Sequence, residues 1–259
     1  MRHPVIRLAV VALATLPAGL AAQEVRDCAE CPELVELPDG TLIGKYPVTR
    51  GEYAVFATET GHSGNGCSLR RGARRGWSET SDWTNPGYPQ EDDHPVVCVS
   101  WNDAVAYTDW LTERTGHFYR LPTLEESARA AAAGTTTEFW WGDDYGAICD
   151  YANTADTTFK TGFPEDERRL HDCDDGYVNT APVTAFPANG WGLHDAVGNV
   201  WNWTNSCLRG DCSNAIFRGG GWDTPVRKYF RPDEYFGDRI VLRNDVIGIR
   251  VLREPGSGN

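Results

Sequence analysis

The side chains best suited to chemistry lie in an irregular stretch, residues 134–189, and just beyond it. They are oxygen ligands: Asn153, Asp156, Asp172, Asp174, Asp175 and Asp195. Carboxylate and amide oxygens in a loop suit a hard cation, and Ca²⁺ takes roughly six to eight of them, some from backbone carbonyls. The spacing is not that of an EF-hand loop, so composition leaves two readings open, a calcium site or a set of turn caps. A second concentration follows Trp222, where Arg227, Tyr229, Phe230, Arg231, Tyr235, Phe236, Arg239 and Arg243 are interleaved with Asp223, Asp233, Glu234, Asp238 and Asn244. Arginine and aromatic side chains on an irregular surface anchor recognition; turned inward, the same aromatics would be core. The basic cluster Arg70, Arg71, Arg74 and Arg75 is either solvated or binds an anion or partner. Other chemistries lack their motifs. His62, His94, His117, His171 and His194 are scattered, and neither a His-Glu-x-x-His nor a phosphate-cradling Gly-Lys-Ser/Thr loop occurs.

These groups need a scaffold, and composition supplies one. A chain of 259 residues with 41% hydrophobic content and ten tryptophans can bury a sizeable core as one large domain or two small ones. Residues 1–22 read as a secretory leader: Arg2 and Arg7 precede an apolar run over 8–20, and Gly19-Leu-Ala21 offers a cleavage site, with Ala22 as an alternative end. The run is short for a membrane span, and no cysteine directly follows it to carry a lipid, so the expectation is a periplasmic or secreted protein without a membrane anchor. Losing two arginines and no acid with the leader takes the formal charge from -13 to -15. That surface repels nucleic-acid backbones and anionic membranes.

Eight cysteines in an exported chain read first as disulfides and second as zinc ligands. Cys28 and Cys31 have a redox-like spacing, with no helix pattern behind them. Connectivity stays open; loop length alone suggests Cys67 with Cys98, Cys149 with Cys173, and Cys207 with Cys212.

Local signals then place the elements. After a polar lead at 23–32, residues 33–46 read as a hairpin around Pro38-Asp-Gly40. Thr49 and Glu52 form a capping box, Val48 and Tyr53 a hydrophobic staple, and Gly61 a stop, which predicts a helix over 50–60. Residues 62–94 read as a surface excursion tied down by Trp77, Trp83 and a disulfide. Residues 95–99 read as a short buried strand, and Ser100 caps a helix with Trp101, Ala104, Val105 and Leu111 on its apolar face, ending by Gly116. A third helix opens at Thr123, with Glu126 completing its capping box, and runs to Gly134. In the run Asn189-Gly-Trp-Gly-Leu-His-Asp-Ala-Val-Gly-Asn-Val-Trp-Asn-Trp203, the glycines allow tight turns and the three indoles demand a core.

That run, with Arg218-Gly-Gly-Gly-Trp222 and Gly248-Ile-Arg-Val251, resembles the signature of the formylglycine-generating-enzyme (sulfatase-modifying factor) domain family. Tyr46-Pro-Val-Thr-Arg-Gly-Glu-Tyr53, Pro95-Val-Val-Cys-Val-Ser-Trp101 and Arg120-Leu-Pro-Thr-Leu-Glu-Glu126 look like its other blocks, in the same order. The resemblance spans roughly 33–253, leaves 254–259 as a tail, and implies a single α+β domain of C-type-lectin-like fold with little regular secondary structure. It also implies two calcium sites. The first would use Asn153, the carbonyl of Thr154, Asp175 and the carbonyl of Tyr177; the second Asp195, the carbonyls of Gly198 and Val200, and Asn202. Two positions depart from the family pattern: Ser127 stands where a tryptophan is usual, and Asn202 where a glutamate is usual.

Formylglycine generation, as the resemblance implies, is copper-dependent oxygen chemistry at two thiols shortly after the Arg-Gly-Gly motif. The matching positions here are Thr224 and Tyr229, and no cysteine follows Cys212. Soft Cu(I) favours thiolates, so that oxidase activity is not expected, and the clustered-histidine iron site of the related ergothioneine-pathway oxygenases is missing as well. The expectation is instead a calcium-stabilised module that binds a peptide, glycan or protein through the 222–247 surface, with Trp222, Thr224, Arg227, Tyr229, Arg231, Tyr235, Arg239 and Arg243 as its contacts. The alternative is an oxidative tailoring or maturation enzyme with different chemistry.

Overall fold

Reciprocal caps start the three longest helices, and short strands from distant parts of the chain close around them. The computed structural model describes residues 24–255; the predicted leader lies outside the described residues. In chain order the elements are β1 (Glu24–Val25), β2 (Leu34–Glu36), β3 (Leu42–Gly44), α1 (Arg50–Thr60), β4 (Cys67–Arg71), β5 (Arg74–Ser78), α2 (Trp101–Thr115), β6 (Tyr119–Arg120), α3 (Leu124–Ala132), α4 (Ile148–Tyr151), α5 (Thr157–Gly162), β7 (Trp201–Leu208), β8 (Asp211–Arg218), β9 (Phe236–Arg239), β10 (Ile247–Gly248) and β11 (Leu252–Arg253). The result is a mixed α+β fold.

At α1 the Thr49 hydroxyl accepts from Glu52 N while the Glu52 carboxylate accepts from Thr49 N, and Gly61 ends the helix at φ 68°. Ser100 with Asp103 and Thr123 with Glu126 repeat the device at α2 and α3. Each box satisfies two backbone donors that a helix start would otherwise leave unpaired. The expected hairpin is β2 and β3, paired antiparallel with Gly40 at φ 83° in the turn.

One sheet has the order β1-β2-β3-β11-β6, so the C-terminal strand lies between elements far from it in sequence. The other has the order β10-β7-β8-β9, with β10 parallel to β7. The main core draws on both sheets and on α1 and α2, with Trp203, Trp222, Tyr53, Tyr107 and Phe56 among its largest fully buried side chains. The buried indoles are satisfied: Trp203 Nε1 donates to Val99 O at 3.1 Å and Trp222 Nε1 to Asp245 O at 3.1 Å.

Two expectations are corrected. Residues 95–99 are buried, but only Pro95 forms a bridge, to Thr49; Cys98 has φ 57°, which breaks the extended run, and its N–H goes to Asn244 O. The stretch 62–94 contains the hairpin β4–β5, and of its two indoles only Trp83 packs inward, 5.3 Å from Tyr53, while Trp77 is 50% exposed. Four disulfides join Cys28 to Cys31, Cys67 to Cys98, Cys149 to Cys173 and Cys207 to Cys212, and no free cysteine remains among the described residues. Bonded, Cys28 and Cys31 close a short loop beside Arg114, whose Nε lies 3.4 Å from Cys28 Sγ.

Candidate binding cleft and cation sites

A cleft of about 330 Å³ opens where β7, β8 and β9 meet the segment after the triple glycine. Trp201 on β7 and Phe217 on β8 cross at 90° with centroids 5.3 Å apart, and Tyr229 lies 5.2 Å from Trp201. Thr224, Val226 and Phe236 complete the wall, and Phe236 is half-exposed at the rim. Edge-to-face rings of this kind offer an apolar surface to a ligand ring or aliphatic group.

The polar end of the cleft comes from far away in sequence. Arg75, on β5, donates to Asp245 Oδ1 at 2.5 Å and to Asp223 Oδ2 at 2.6 Å. Arg70 donates to Asp166 Oδ2 at 2.6 Å, and Arg168 grips the same carboxylate while its Nη1 reaches Asp223 O at 3.0 Å. Burial opposes the Arg75 charge, yet Asp223 and Asp245 outweigh it and hold the guanidinium's pKa above its ordinary value. Burial pushes the Asp245 carboxyl up, with Arg75 opposing. Three guanidiniums and three carboxylates compensate one another, so this end is polar without offering a spare charge.

The eight predicted contacts are dispersed. Thr224 and Tyr229 line the cleft. Trp222 is core, 5.8 Å from Phe163 and 5.5 Å from Tyr88. Arg227 sits beyond Pro225 in a neighbouring cleft of about 400 Å³, paired with Glu138 and 4.6 Å over the Tyr145 ring. In that second cleft the Tyr145 hydroxyl lies 2.8 Å from His171 Nδ1, and burial keeps the His171 pKa below its ordinary value. Arg231 pairs with Asp233 near the surface, Tyr235 and Arg239 are exposed, and Arg243 clamps Asp103 at the start of α2 at 2.7 and 2.9 Å. Sequence reasoning missed Arg75, Arg168, Trp201 and Phe217 as cleft residues. Arginines clustered at 70–75 in an acidic chain were a usable signal, since several acids stood free to pair with them.

The first predicted cation set converges. Asp175 Oδ2 accepts from Thr154 N at 2.7 Å and Oδ1 from Tyr177 N at 2.9 Å, which draws together the two segments whose carbonyls the site would use. Asn153 is fully buried; its Nδ2 donates to Asn179 O, while its Oδ1 has no partner among the described residues. Asp156 caps α5 through Phe159 N and lies within 4.8 Å of Asp175. Burial, with Asp156 and Asp174 adding repulsion against two backbone donors, pushes the Asp175 carboxyl up to about 7. An unpartnered buried oxygen beside crowded carboxylates fits a hard cation. The disulfide sulfur of Cys149, also nearby, carries no thiolate to contribute. Asp172 and Asp174 are exposed.

The second set fits less well. Asp195 Oδ1 and Asn202 Oδ1 are buried without partners among the described residues, as oxygens awaiting a cation would be. Arg250, however, donates to the carbonyls of Asp195 at 2.9 Å and His194 at 2.6 Å, and Arg218 lines the same small cavity as Asn202. Burial lowers both guanidiniums to about 10 and raises Asp195 to about 7. Asn199, at φ 58°, ties the two sets together, accepting from Asn153 Nδ2 at 3.2 Å and donating to Asp195 Oδ2 at 2.7 Å.

A mixed α+β scaffold with few helices, a glycine-rich turn under a cleft and an oxygen-lined loop define the class of protein. Residues 7–255 match the Sulfatase-modifying factor enzyme 1-like domain, and the chain belongs to that family. It is 33% identical over 203 residues to a formylglycine-generating enzyme of Mycobacterium tuberculosis, covering 63% of this chain and 62% of that protein. It is 34% identical over 190 residues to a Bos taurus protein named inactive C-alpha-formylglycine-generating enzyme 2, covering 69% of this chain and 58% of the relative. The chain thus spans less than two thirds of either relative's length. Among solved structures, PvdO from Pseudomonas aeruginosa superposes with a TM-score of 0.73 at 27% identity, over 92% of this chain and 100% of that one.

Proposed function

We propose that this protein is an exported binding member of the family, with a calcium ion ordering the loop that contains Asn153 and Asp175, and with the Trp201–Tyr229–Phe236 cleft receiving an apolar or aromatic group of a peptide, glycan or protein ligand. The observation that carries the reading is at Thr224 and Tyr229, the positions that the family resemblance aligns with the thiol pair. Thr224 Oγ1 is already engaged by Gly221 N at 3.0 Å and Trp201 Nε1 at 3.2 Å, and Tyr229 packs on Trp201. All eight cysteines are bonded elsewhere, so the residues present do not fit a thiolate-held copper. The calcium would supply charge and cross-linking, with Asn153, Asp175 and the carbonyls of Thr154 and Tyr177 as its holders.

Selection of a displayed peptide library on the purified protein tests the reading. Enriched peptides should carry an aromatic or large aliphatic residue, and Tyr229→Ala should lose most of their binding. Conversion of a sulfatase-motif cysteine to an aldehyde by the purified protein with copper would overturn it. A second reading, an oxidative tailoring enzyme, draws on the pair of half-buried Tyr145 and buried His171, where a neutral imidazole could accept a proton. Oxygen uptake with a candidate peptide, abolished in His171→Ala, would favour that reading.

A further inference from the structure

The pair Arg218 and Arg250 bears on how many cations the chain can hold. Both are buried, at 2% and 5% exposure, and neither has a carboxylate within ion-pair distance among the described residues. Arg250 is spent on the carbonyls of Gly44, His194 and Asp195, and Arg218 on the carbonyls of Ser127 and Arg231. Asp195 is the one acid whose charge acts on Arg250. Asp233 acts on Arg218 but is exposed and already paired with Arg231, so two buried guanidiniums against one buried carboxylate leave this region net positive before any metal enters. At the first site, Asp175 and Asp156 leave it net negative, with no guanidinium among the described residues contacting either carboxylate.

Two oxygens without donors, on Asp195 and Asn202, argue for a second cation. Charge argues the other way and weighs more, because a divalent ion added to an uncompensated buried positive region loses hydration without gaining counter-charge, and calcium affinity follows the charge count of its ligands. The cavity between these residues has another solution. It measures about 10 Å³ and is lined by Ser127, Asn202, Arg218 and Arg250 among apolar neighbours. Arg218 Nε there is a donor without an acceptor and Asn202 Oδ1 an acceptor without a donor. A single water, accepting from the first and donating to the second, satisfies both, and the volume suits one.

We propose that this chain binds one calcium ion rather than two: at the second site a water bridging Arg218 and Asn202 takes the place of a cation. The proposal rests on the calcium reading of the first site, and the experiment separates the two. Calcium stoichiometry is measured by isothermal titration and native mass spectrometry on chelator-stripped whole protein. The parent should bind one ion, Asp175→Asn none, and Asn202→Glu, which restores a carboxylate between the guanidiniums, two. A parent that binds two, or an Asp175→Asn variant that keeps one, overturns the proposal even if Asn202→Glu fails to fold. A parent binding none while Asn202→Glu binds one would remove the first-site reading and leave this one standing.

Discussion

Arg75 carries more of the cleft than any single aromatic does, because three side chains depend on it. Its guanidinium holds Asp245, Asp223 and the Asn244 amide at 2.5 to 2.6 Å, and Asp245 is almost fully buried. Arg75→Met leaves that carboxylate without its counter-charge, a loss of about 3–5 kcal/mol for a broken buried pair. The sign with pH follows from the direction of the shift. Burial already raises Asp245 above its unfolded value, and removing Arg75 raises it further, so the folded variant gains protons relative to the unfolded chain as pH falls. Urea unfolding at pH 7.5 and pH 5 should therefore find the gap between variant and parent narrower at pH 5; an equal gap refutes the assignment. Nothing local to residue 75 announces this role, since its acid partners lie 148 and 170 residues further on. Trp222 was misread for a related reason: an indole beside a cleft segment is equally an indole under it, and only packing on Phe159 and Phe163 decides.

Elements were legible where their signals are local. The α1 boundaries follow from Thr49, Glu52 and Gly61 alone, and α3 from Thr123 and Glu126. The β4–β5 hairpin escaped because arginines and glycines obscure its alternation, and its turn, Gly72 at φ 57°, packs against Glu165 from another loop. Residues 95–99 have the buried apolar run of a strand but do not form one, because their hydrogen bonds go to separate segments, Val96 N to Val48 O and Cys98 N to Asn244 O, rather than to one partner strand. At α3 the capping box also carries a pH signature. Arg120, in a bidentate pair, and Thr123 hold Glu126 down to about 2 against the opposing effect of burial. A depressed carboxylate contributes stability that is fully present above its unfolded pKa and is lost as pH falls through the folded value. Glu126→Gln keeps a capping-box side chain but removes the charge paired with Arg120, so it should cost about 0.5–1 kcal/mol near neutrality, in the range of a partly exposed ion pair, and the difference from the parent should disappear between pH 4.5 and about 2. Chemical denaturation across that range checks it, and a difference that persists at the acid end would assign the effect to packing.

At the scale of the whole molecule, the loops that build the site lie outside the regular elements, so their order depends on cross-links. The Cys149–Cys173 bond closes the stretch containing Asn153 and brings it to the segment that holds Asp175, where Asp175 N already donates to Asp156 Oδ2 at 2.5 Å. A calcium ion there would act as a second staple on the same loop, and a ligand that binds only the folded state stabilises it by about 2.7 kcal/mol at a hundredfold excess over Kd. For a domain of this size that corresponds to a rise in Tm of roughly 5–10 °C. Chelation should therefore lower Tm by that amount in the parent, and Asp175→Ala should start low and ignore both calcium and chelator. Asp195→Ala should start low as well, because Arg250 loses the charge that acts on it and Asn199 loses an acceptor. It should nonetheless respond to calcium as the parent does, since the proposed ion would sit on the other side of Asn199. Scanning calorimetry of the three proteins with calcium and with chelator separates the cases, and loss of the calcium response in Asp195→Ala with retention in Asp175→Ala would move the ion to the arginine-flanked site.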